Sequence, residues 1–156
     1  MNTGVVLCVD DNGDDTLLFL QACRKRKVSF QAAVLEDGQE AIDYLNVNAS
    51  KDGATQSPLP DFILLDLKMP KKSGFEVLEW LRGQAALQPI PVSILSASQS
   101  DDDVRRAYAL GATWFLMKPV QFQELLDLTY TLDQWMRTRD NLAFTKLPYY
   151  RAPLRT

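Results

Sequence analysis

Asp61-Phe-Ile-Leu-Leu-Asp66-Leu-Lys-Met-Pro70 decides the fold of this chain, because an uninterrupted apolar run within it ends at a carboxylate. A strand that is apolar at every position is typical of a parallel sheet buried on both faces. The earlier stretch Val5-Val-Leu-Cys-Val-Asp10-Asp11 has the same form and ends in two more acids. Parallel strands end at the same edge of a sheet, so we expect the three carboxylates to lie together.

Carboxylates gathered in this way repel one another and raise the pKa of at least one of them unless a cation offsets their charge. Mg²⁺ prefers oxygen ligands and typically joins one or two carboxylates to a phosphoryl group. Asp10, Asp11 and Asp66 therefore predict a Mg²⁺ site with phosphate as the third partner. The alternative for each acid taken alone is a solvated turn residue or a helix cap.

Short apolar runs alternate with longer stretches of helical pattern along the chain. This alternation predicts a doubly wound α/β domain with a parallel sheet. The predicted strands are residues 5–9, 30–35, 62–65, 91–95 and 113–117, and the predicted helices are residues 14–27, 38–46, 73–82, 101–110 and 120–139. Residues 46–60 are polar and contain Gly and Pro, which predicts an exposed, mobile loop.

Two more polar residues follow predicted strands, Ser96 after the fourth and Lys118 after the fifth. In open α/β sheets ligands bind outside the carboxyl ends of the strands. Ser96 and Lys118 are therefore expected on the same edge as the three acids. There is no Gly-rich phosphate loop, so nucleotide binding has little support.

The composition describes one domain, since 156 residues with 46% hydrophobic content can bury a sizeable core. The net charge is −3 and no segment is dense in Lys or Arg, so the sequence does not predict a nucleic-acid-binding surface. The basic run Arg24-Lys-Arg-Lys27 is interpreted as the last turn of a helix. No secretory signal or membrane-spanning run is present, so we expect a cytoplasmic protein without membrane partners.

Cys8 and Cys23 lie in predicted buried elements and are expected to be free thiols. The chain has no His. That absence argues against Ser/His hydrolases and zinc enzymes, and it excludes a phosphohistidine donor.

The chain resembles the receiver domain of bacterial response regulators over about residues 3–139. The motifs that carry the resemblance are Asp10-Asp11, Asp66 with Met69-Pro70 and Gly74, Ser96-Ala97, and Lys118-Pro119. It implies a five-stranded flavodoxin-like sheet of order 2-1-3-4-5. It also implies a receiver domain at residues 1–139 and a tail at residues 140–156 without an effector domain. Asn12 and the long loop before Pro60 most resemble receivers that partner phytochrome kinases.

The resemblance assigns roles to the edge residues. Asp66 would be the phosphoacceptor for a sensor histidine kinase, expected to be of phytochrome type. Asp11 would bind Mg²⁺ directly, Asp10 mostly through water, and Lys68 through its backbone carbonyl. Lys118 and Mg²⁺ would neutralise charge on the phosphoryl oxygens. Such a protein is not an enzyme beyond catalysing its own phosphorylation and dephosphorylation.

The resemblance also predicts how phosphorylation is read. The Ser96 hydroxyl would bond a phosphoryl oxygen, and Phe115 would turn inward to fill the vacated space. The alternative for Phe115 is plain core packing. The Lys118–Pro119 peptide bond is expected to be cis. Lys68 and Ser98 are expected to influence loss of the phosphoryl group, in a direction that the residues do not determine.

Neighbouring charges have simpler interpretations. Asp101-Asp-Asp103 is expected to begin a helix rather than join the acidic site. Lys71-Lys72 is expected to be a solvated loop rather than a kinase contact.

In the last predicted helix, the helical spacing of apolar residues predicts one face that packs against the sheet. This face consists of Phe122, Leu125, Leu126, Leu132 and Met136. Leu128 and Trp135 lie on another side. They are either exposed for a homodimer or a target, or covered by the C-terminal tail.

Two other classes compete with the receiver interpretation. Mg²⁺-dependent phosphatases with an aspartyl intermediate separate their two acids by one residue, whereas Asp10 and Asp11 are adjacent. A module that is never phosphorylated would not need Asp66, Ser96 and Lys118. Output could pass through a downstream protein, through dimerisation, or through a histidine phosphotransfer protein.

Overall fold

The structure, a computed structural model, describes residues 2–49 and 59–155. Its parallel strands are β1 (Val5–Val9), β2 (Gln31–Leu35), β3 (Phe62–Leu65), β4 (Val92–Ser96) and β5 (Trp114–Met117). Its α-helices are α1 (Gly13–Arg26), α2 (Gly38–Asn48), α3 (Gly74–Arg82), α4 (Asp101–Ala109) and α5 (Phe122–Thr138). The predicted strands and helices are all present.

A short antiparallel strand, β6 (Tyr150–Arg151), extends the sheet to the order β2-β1-β3-β4-β5-β6. The predicted order of the first five strands is confirmed. The prediction of a sheet with only five strands was wrong, because the edge of β5 pairs with the tail.

Polar side chains fix where the helices begin. Asn12, Asp37, Ser73 and Ser100 each cap a helix by accepting a hydrogen bond from a backbone N–H in its first turn. Three acids follow Ser100 in the first turn of α4, which confirms Asp101-Asp-Asp103 as a helix start. Arg24, Lys25 and Arg26 occupy the last turn of α1, as predicted.

The sheet separates two layers of core, because successive side chains of each strand point to opposite faces. Phe62 and Leu64 of β3 pack with residues of α1 and α5, whereas Ile63 and Leu65 pack with residues of α2, α3 and α4. The predicted inner face of α5 is confirmed, with Phe122 partly buried and the other four residues buried. Cys8 and Cys23 are buried free thiols.

The C-terminal tail docks on the core. Phe144 is fully buried, with its ring 4.7 Å from that of Trp114 and 5.2 Å from that of Phe62. Trp135 is only 4% exposed in the same cluster, and Leu128 is fully buried. Trp135 and Leu128 therefore offer no exposed surface to a partner, and the alternative in which Trp135 lies under the tail is confirmed.

Helix α2 runs two residues further than predicted, because its hydrogen bonding continues and the Ala49 N–H donates to the Leu45 carbonyl at 2.9 Å. The predicted loop start at Asn46 was therefore wrong. Residues 50–58 of that loop lie outside the described residues. No helix in the described ranges combines the length and apolar character needed to cross a membrane.

Candidate functional site

Three carboxylates meet at the carboxyl edge of the sheet. Asp10 and Asp11 follow β1, Asp66 follows β3, and one oxygen from each lies within 4.8 Å of the others. Asp10 and Asp66 are buried, and Asp11 is exposed. The predicted acidic cluster is therefore assembled, with one side open to solvent.

The backbone of the sheet positions the two buried acids. The Asp10 N–H donates to the Leu35 carbonyl and the Asp66 N–H donates to the Val9 carbonyl, each at 3.0 Å. A carboxylate oxygen of Asp66 then accepts the N–H of Leu67 at 2.8 Å. Backbone hydrogen bonding between strands therefore continues up to each acid, and this holds both carboxylates side by side at the carboxyl edge of the sheet.

Gly74 permits the start of α3 to pass close to Asp66. A Cβ atom at this position would lie 2.1 Å from the Asp66 backbone carbonyl oxygen, a distance that no side chain tolerates. The Gly74 N–H donates to the Leu67 carbonyl at 2.9 Å. The requirement for Gly in the motif therefore comes from close approach of two backbone segments.

Lys118 brings a cation to the acids. Its Nζ lies 2.8 Å from an oxygen of Asp10, 2.8 Å from an oxygen of Asp15 and 3.6 Å from an oxygen of Asp66. Its backbone N–H donates to the Ser96 carbonyl at 2.8 Å, which ties the end of β5 to the end of β4. The predicted position of Lys118 is confirmed, but Asp15 was not predicted.

The sequence alone does not single out Asp15. Asp15 is the third residue of α1, in the first turn after the N-cap Asn12. An acid in the first turn is usually explained by the helix dipole alone. Its contact with a residue 103 positions away depends on how α1 packs, which the local pattern does not contain.

The charges of the site perturb one another. Burial and then the neighbouring Asp10 charge raise the pKa of Asp66 to about 6, although the nearby Lys118 ammonium opposes this shift. Burial alone would lower the pKa of Lys118, but its bonds to Asp10 and Asp15 and the charge of Asp66 raise that pKa above its ordinary value. Lys118 is therefore fully charged at neutral pH.

The donor set fits a hard divalent cation. Three carboxylate groups supply only oxygen ligands, which Mg²⁺ and Mn²⁺ accept readily. Burial is the main cause of the raised pKa of Asp66, and a bound cation would favour the charged form of this carboxylate. The Lys68 side chain is exposed and forms no ion pair within the described residues, and the role of its backbone carbonyl stays a prediction.

Ser96 ends β4 as a buried residue whose hydroxyl accepts the Ser98 N–H at 3.1 Å. The Ser98 hydroxyl in turn donates to the Asp103 carboxylate at 2.6 Å. Ser96 is therefore linked through Ser98 to the first turn of α4.

Phe115 is already fully buried in the core layer formed with α2, α3 and α4. This position matches the core-packing alternative in the present structure, and the predicted response of Phe115 to phosphorylation stays a prediction. Along the edge of the sheet, Phe115 of β5 lies opposite Arg151 of β6.

One prediction is corrected by the structure. The Lys118–Pro119 bond is trans, the isomer that X–Pro bonds generally favour, and Lys118 still reaches the acids. The prediction of a solvated loop at Lys71-Lys72 is confirmed, because both side chains are exposed and form ion pairs at the surface, with Asp37 at 3.6 Å and Glu76 at 4.0 Å.

Comparison with known proteins gives a consistent result. The sequence profile of the response regulator receiver domain matches residues 6–130. FilR2, a probable methanogenesis regulatory protein of Methanothrix harundinacea, is 38% identical over 78% of this chain and 76% of its own length. Response regulator Rcp1 of Synechocystis sp. is 31% identical over 86% of this chain and 90% of its own length.

Two solved structures extend the comparison. The Mn²⁺-bound form of Rcp1 has a TM-score of 0.74 at 31% identity and covers 86% of this chain and 96% of that chain. The phosphorylated cyanobacterial phytochrome response regulator RcpA has a TM-score of 0.75 at 30% identity and covers 87% of this chain and 95% of that chain. Both similarities therefore extend over most of this chain and nearly all of the compared chains.

Proposed function

This chain belongs to the family of response regulator receiver domains, and we propose that it is a phosphoaspartate switch of a two-component system in which Asp66 is the phosphoacceptor. One observation carries the proposal. Asp10, Asp11 and Asp66 meet within 4.8 Å, and the Lys118 ammonium lies 3.6 Å from Asp66. This geometry supports the proposal that Asp66 is a nucleophile beside a cation-binding site and a positively charged side chain.

In the proposed reaction, a carboxylate oxygen of Asp66 forms a bond to the phosphorus of a phosphohistidine on a histidine kinase. The P–N bond breaks, and its electron pair returns to the imidazole nitrogen, which takes up a proton. Negative charge on the transferring group spreads over the phosphoryl oxygens. The Lys118 ammonium stabilises that charge from its position between Asp10 and Asp66.

Asp10, Asp11 and Asp66 are proposed to hold Mg²⁺, together with the backbone carbonyl of Lys68. When bound, the ion supplies positive charge that neutralises the phosphoryl oxygens. The all-oxygen donor set supports this proposal, and so does the similarity to Rcp1, whose structure contains Mn²⁺.

Ser96 is proposed to read the modification. Its hydroxyl would leave the Ser98 N–H to bond a phosphoryl oxygen, and this would release the chain of hydrogen bonds that leads to Asp103. The start of α4 is therefore the element whose position responds first. A phosphoryl group supplies the required strong acceptor oxygens.

The kinase that donates the phosphoryl group and the proteins that receive the signal are also proposed. Similarity to RcpA, a phytochrome response regulator, supports a phytochrome-type histidine kinase as donor. A downstream protein, a second copy of the chain and a histidine phosphotransfer protein are the proposed routes of output. The free thiols Cys8 and Cys23 are compatible with a cytoplasmic location. We also propose that the chain is not an enzyme beyond catalysing its own phosphorylation and dephosphorylation.

The test is the intact mass of the protein after incubation with Mg²⁺ and acetyl phosphate. One phosphoryl adduct is expected on the native chain and none on Asp66→Asn. Chelation of the metal before incubation is expected to abolish the adduct. Absence of an adduct on the folded native chain would contradict the proposal, and continuous release of phosphate from phosphate esters would favour the phosphatase alternative.

A further inference from the structure

Asp15 binds the functional lysine although neither the motifs nor the strand ends include it. Its carboxylate lies 2.8 Å from Lys118 Nζ, as close as that of Asp10. Asp15 is held in place by its own helix, since its backbone N–H donates to the Asn12 side chain at 3.1 Å. The first turn of α1 therefore presents a fixed acid to the end of β5.

The two short contacts determine the orientation of the ammonium group. A lysine ammonium has three N–H donors, and Asp10 and Asp15 occupy two of them. The 3.6 Å separation from Asp66 is longer than a hydrogen bond. The third donor is therefore available to oxygens attached to Asp66.

The Lys118 side chain is mostly buried and is not packed on every side. A small cavity of about 50 Å³ lies beside it, lined among others by Phe19, Leu95 and Leu125. Holding a long lysine side chain in one conformation costs rotamer entropy, which the contacts around it must offset. The bonds to the two acids are what hold the ammonium in place.

We propose that Asp15 is a positioning residue that, together with Asp10, holds Lys118 with one N–H free for the phosphoryl oxygens on Asp66. The inference rests on the proposed function and names a residue that sets the rate of the same reaction. The competing explanation is that Asp15 only stabilises the start of α1 through the helix dipole. Asp14 provides a matched control, because it is an exposed acid in the same turn and does not pair with Lys118 within the described residues.

The experiment compares the initial rate of phosphoryl uptake from acetyl phosphate with Mg²⁺ in the native chain, Asp15→Asn, Asp15→Glu and Asp14→Asn. Asp15→Asn is expected to lower the rate at saturating acetyl phosphate about three- to tenfold, the effect of one typical hydrogen bond. The acetyl phosphate concentration at half-maximal rate is expected to change little. Asp15→Glu should recover part of the rate, and Asp14→Asn should match the native chain.

A second comparison separates positioning from stability. In the Lys118→Ala background, Asp15→Asn is expected to cause no further loss, because its effect acts through the lysine. In the metal-free protein, the ¹H–¹⁵N signal of the Lys118 ammonium is expected to be visible in the native chain and broadened in Asp15→Asn.

The outcomes distinguish the two proposals. A native chain that takes up no phosphoryl group would overturn the proposed function itself. Normal native uptake with an unchanged or faster Asp15→Asn variant would overturn the role of Asp15 alone. So would an equal loss in the presence and absence of Lys118, or an ammonium signal that Asp15→Asn leaves unaltered.

Discussion

The Tyr108 hydroxyl accepts a hydrogen bond from the backbone N–H of Phe115 at 3.1 Å, and it donates its own proton to the Arg151 carbonyl. One side chain of α4 thereby joins β5 to the tail strand β6. Arg151 also reaches the start of α4 through the Gln99 carbonyl and the Asp101 carboxylate. The tail is therefore hydrogen-bonded to α4 near its end, through Tyr108, and at its start, through Gln99 and Asp101.

Tyr108→Phe is expected to lower the free energy of unfolding by about 1–2 kcal/mol, because it leaves two backbone groups without their partner. Urea denaturation followed by circular dichroism would measure the change. Tyr130→Phe is the matched control, since Tyr130 is exposed and its ring can still pack on Arg26. Equal midpoints for the two variants would show that the Tyr108 hydroxyl does not stabilise the fold.

Phe144→Ala tests whether the tail is part of the core. Its ring packs on Phe62 and Trp114, so truncation is expected to destabilise the protein by about 3–5 kcal/mol. Tryptophan emission should also shift to longer wavelength as water reaches Trp114 and Trp135. Leu142→Ala, which alters an exposed tail residue, should leave both quantities near native values. A native-like Phe144→Ala variant would mean that the tail does not dock in solution.

The fold was predictable where the signal is local, as in β1 and β3, whose bounds follow from runs that are apolar at every position. Strand β6 was not, because two residues between prolines carry no periodic pattern and the pairing comes from the edge of β5. The acids and Lys118 were predictable because they directly follow strands. The contact between Asp15 and Lys118 depends on how α1 packs, which no local pattern contains.

The raised pKa of Asp66 predicts a pH-dependent stability for the metal-free protein. Its folded pKa of about 6 lies above the ordinary value of 3.8, so ionisation is less favourable in the folded state. The folded protein therefore loses stability as the pH rises from about 4 through 6. Asp66→Asn removes this loss, so its stability relative to the native chain should increase by on the order of 2 kcal/mol between pH 4 and pH 7.5.

Chemical denaturation in EDTA at several pH values would measure this difference. Asp14→Asn, which alters an exposed acid, serves as the control and should show no such trend. A difference between Asp66→Asn and native protein that stays constant with pH would indicate that Asp66 keeps an ordinary pKa.

Removing an acid from the cluster should weaken binding of the cation. Asp11→Asn leaves one carboxylate fewer within the 4.8 Å group, and the dissociation constant for Mg²⁺ is expected to rise at least about tenfold. Isothermal titration calorimetry would measure it, with Asp14→Asn again as the control. Equal affinities for native and Asp11→Asn protein would place the ion elsewhere.

Lys68 is the residue through which the lifetime of the phosphoryl group should be adjustable. Its side chain is exposed two residues after Asp66 and has no ion-pair partner within the described residues, so its ammonium is free to approach the phosphoryl oxygens. An exposed pair of this kind contributes at most about 1 kcal/mol. Lys68→Asn is therefore expected to shorten the lifetime only a few-fold, because water meets less positive charge and less cover over the acyl phosphate.

Following the decay of the phosphoryl adduct by intact mass after removal of acetyl phosphate would give the lifetime directly. Lys72→Asn is the control, because Lys72 pairs with Glu76 at 4.0 Å on α3. An equal change in both variants would assign the effect to the overall charge of the loop. An unchanged or longer lifetime in Lys68→Asn would mean that the ammonium does not shield the phosphoryl group.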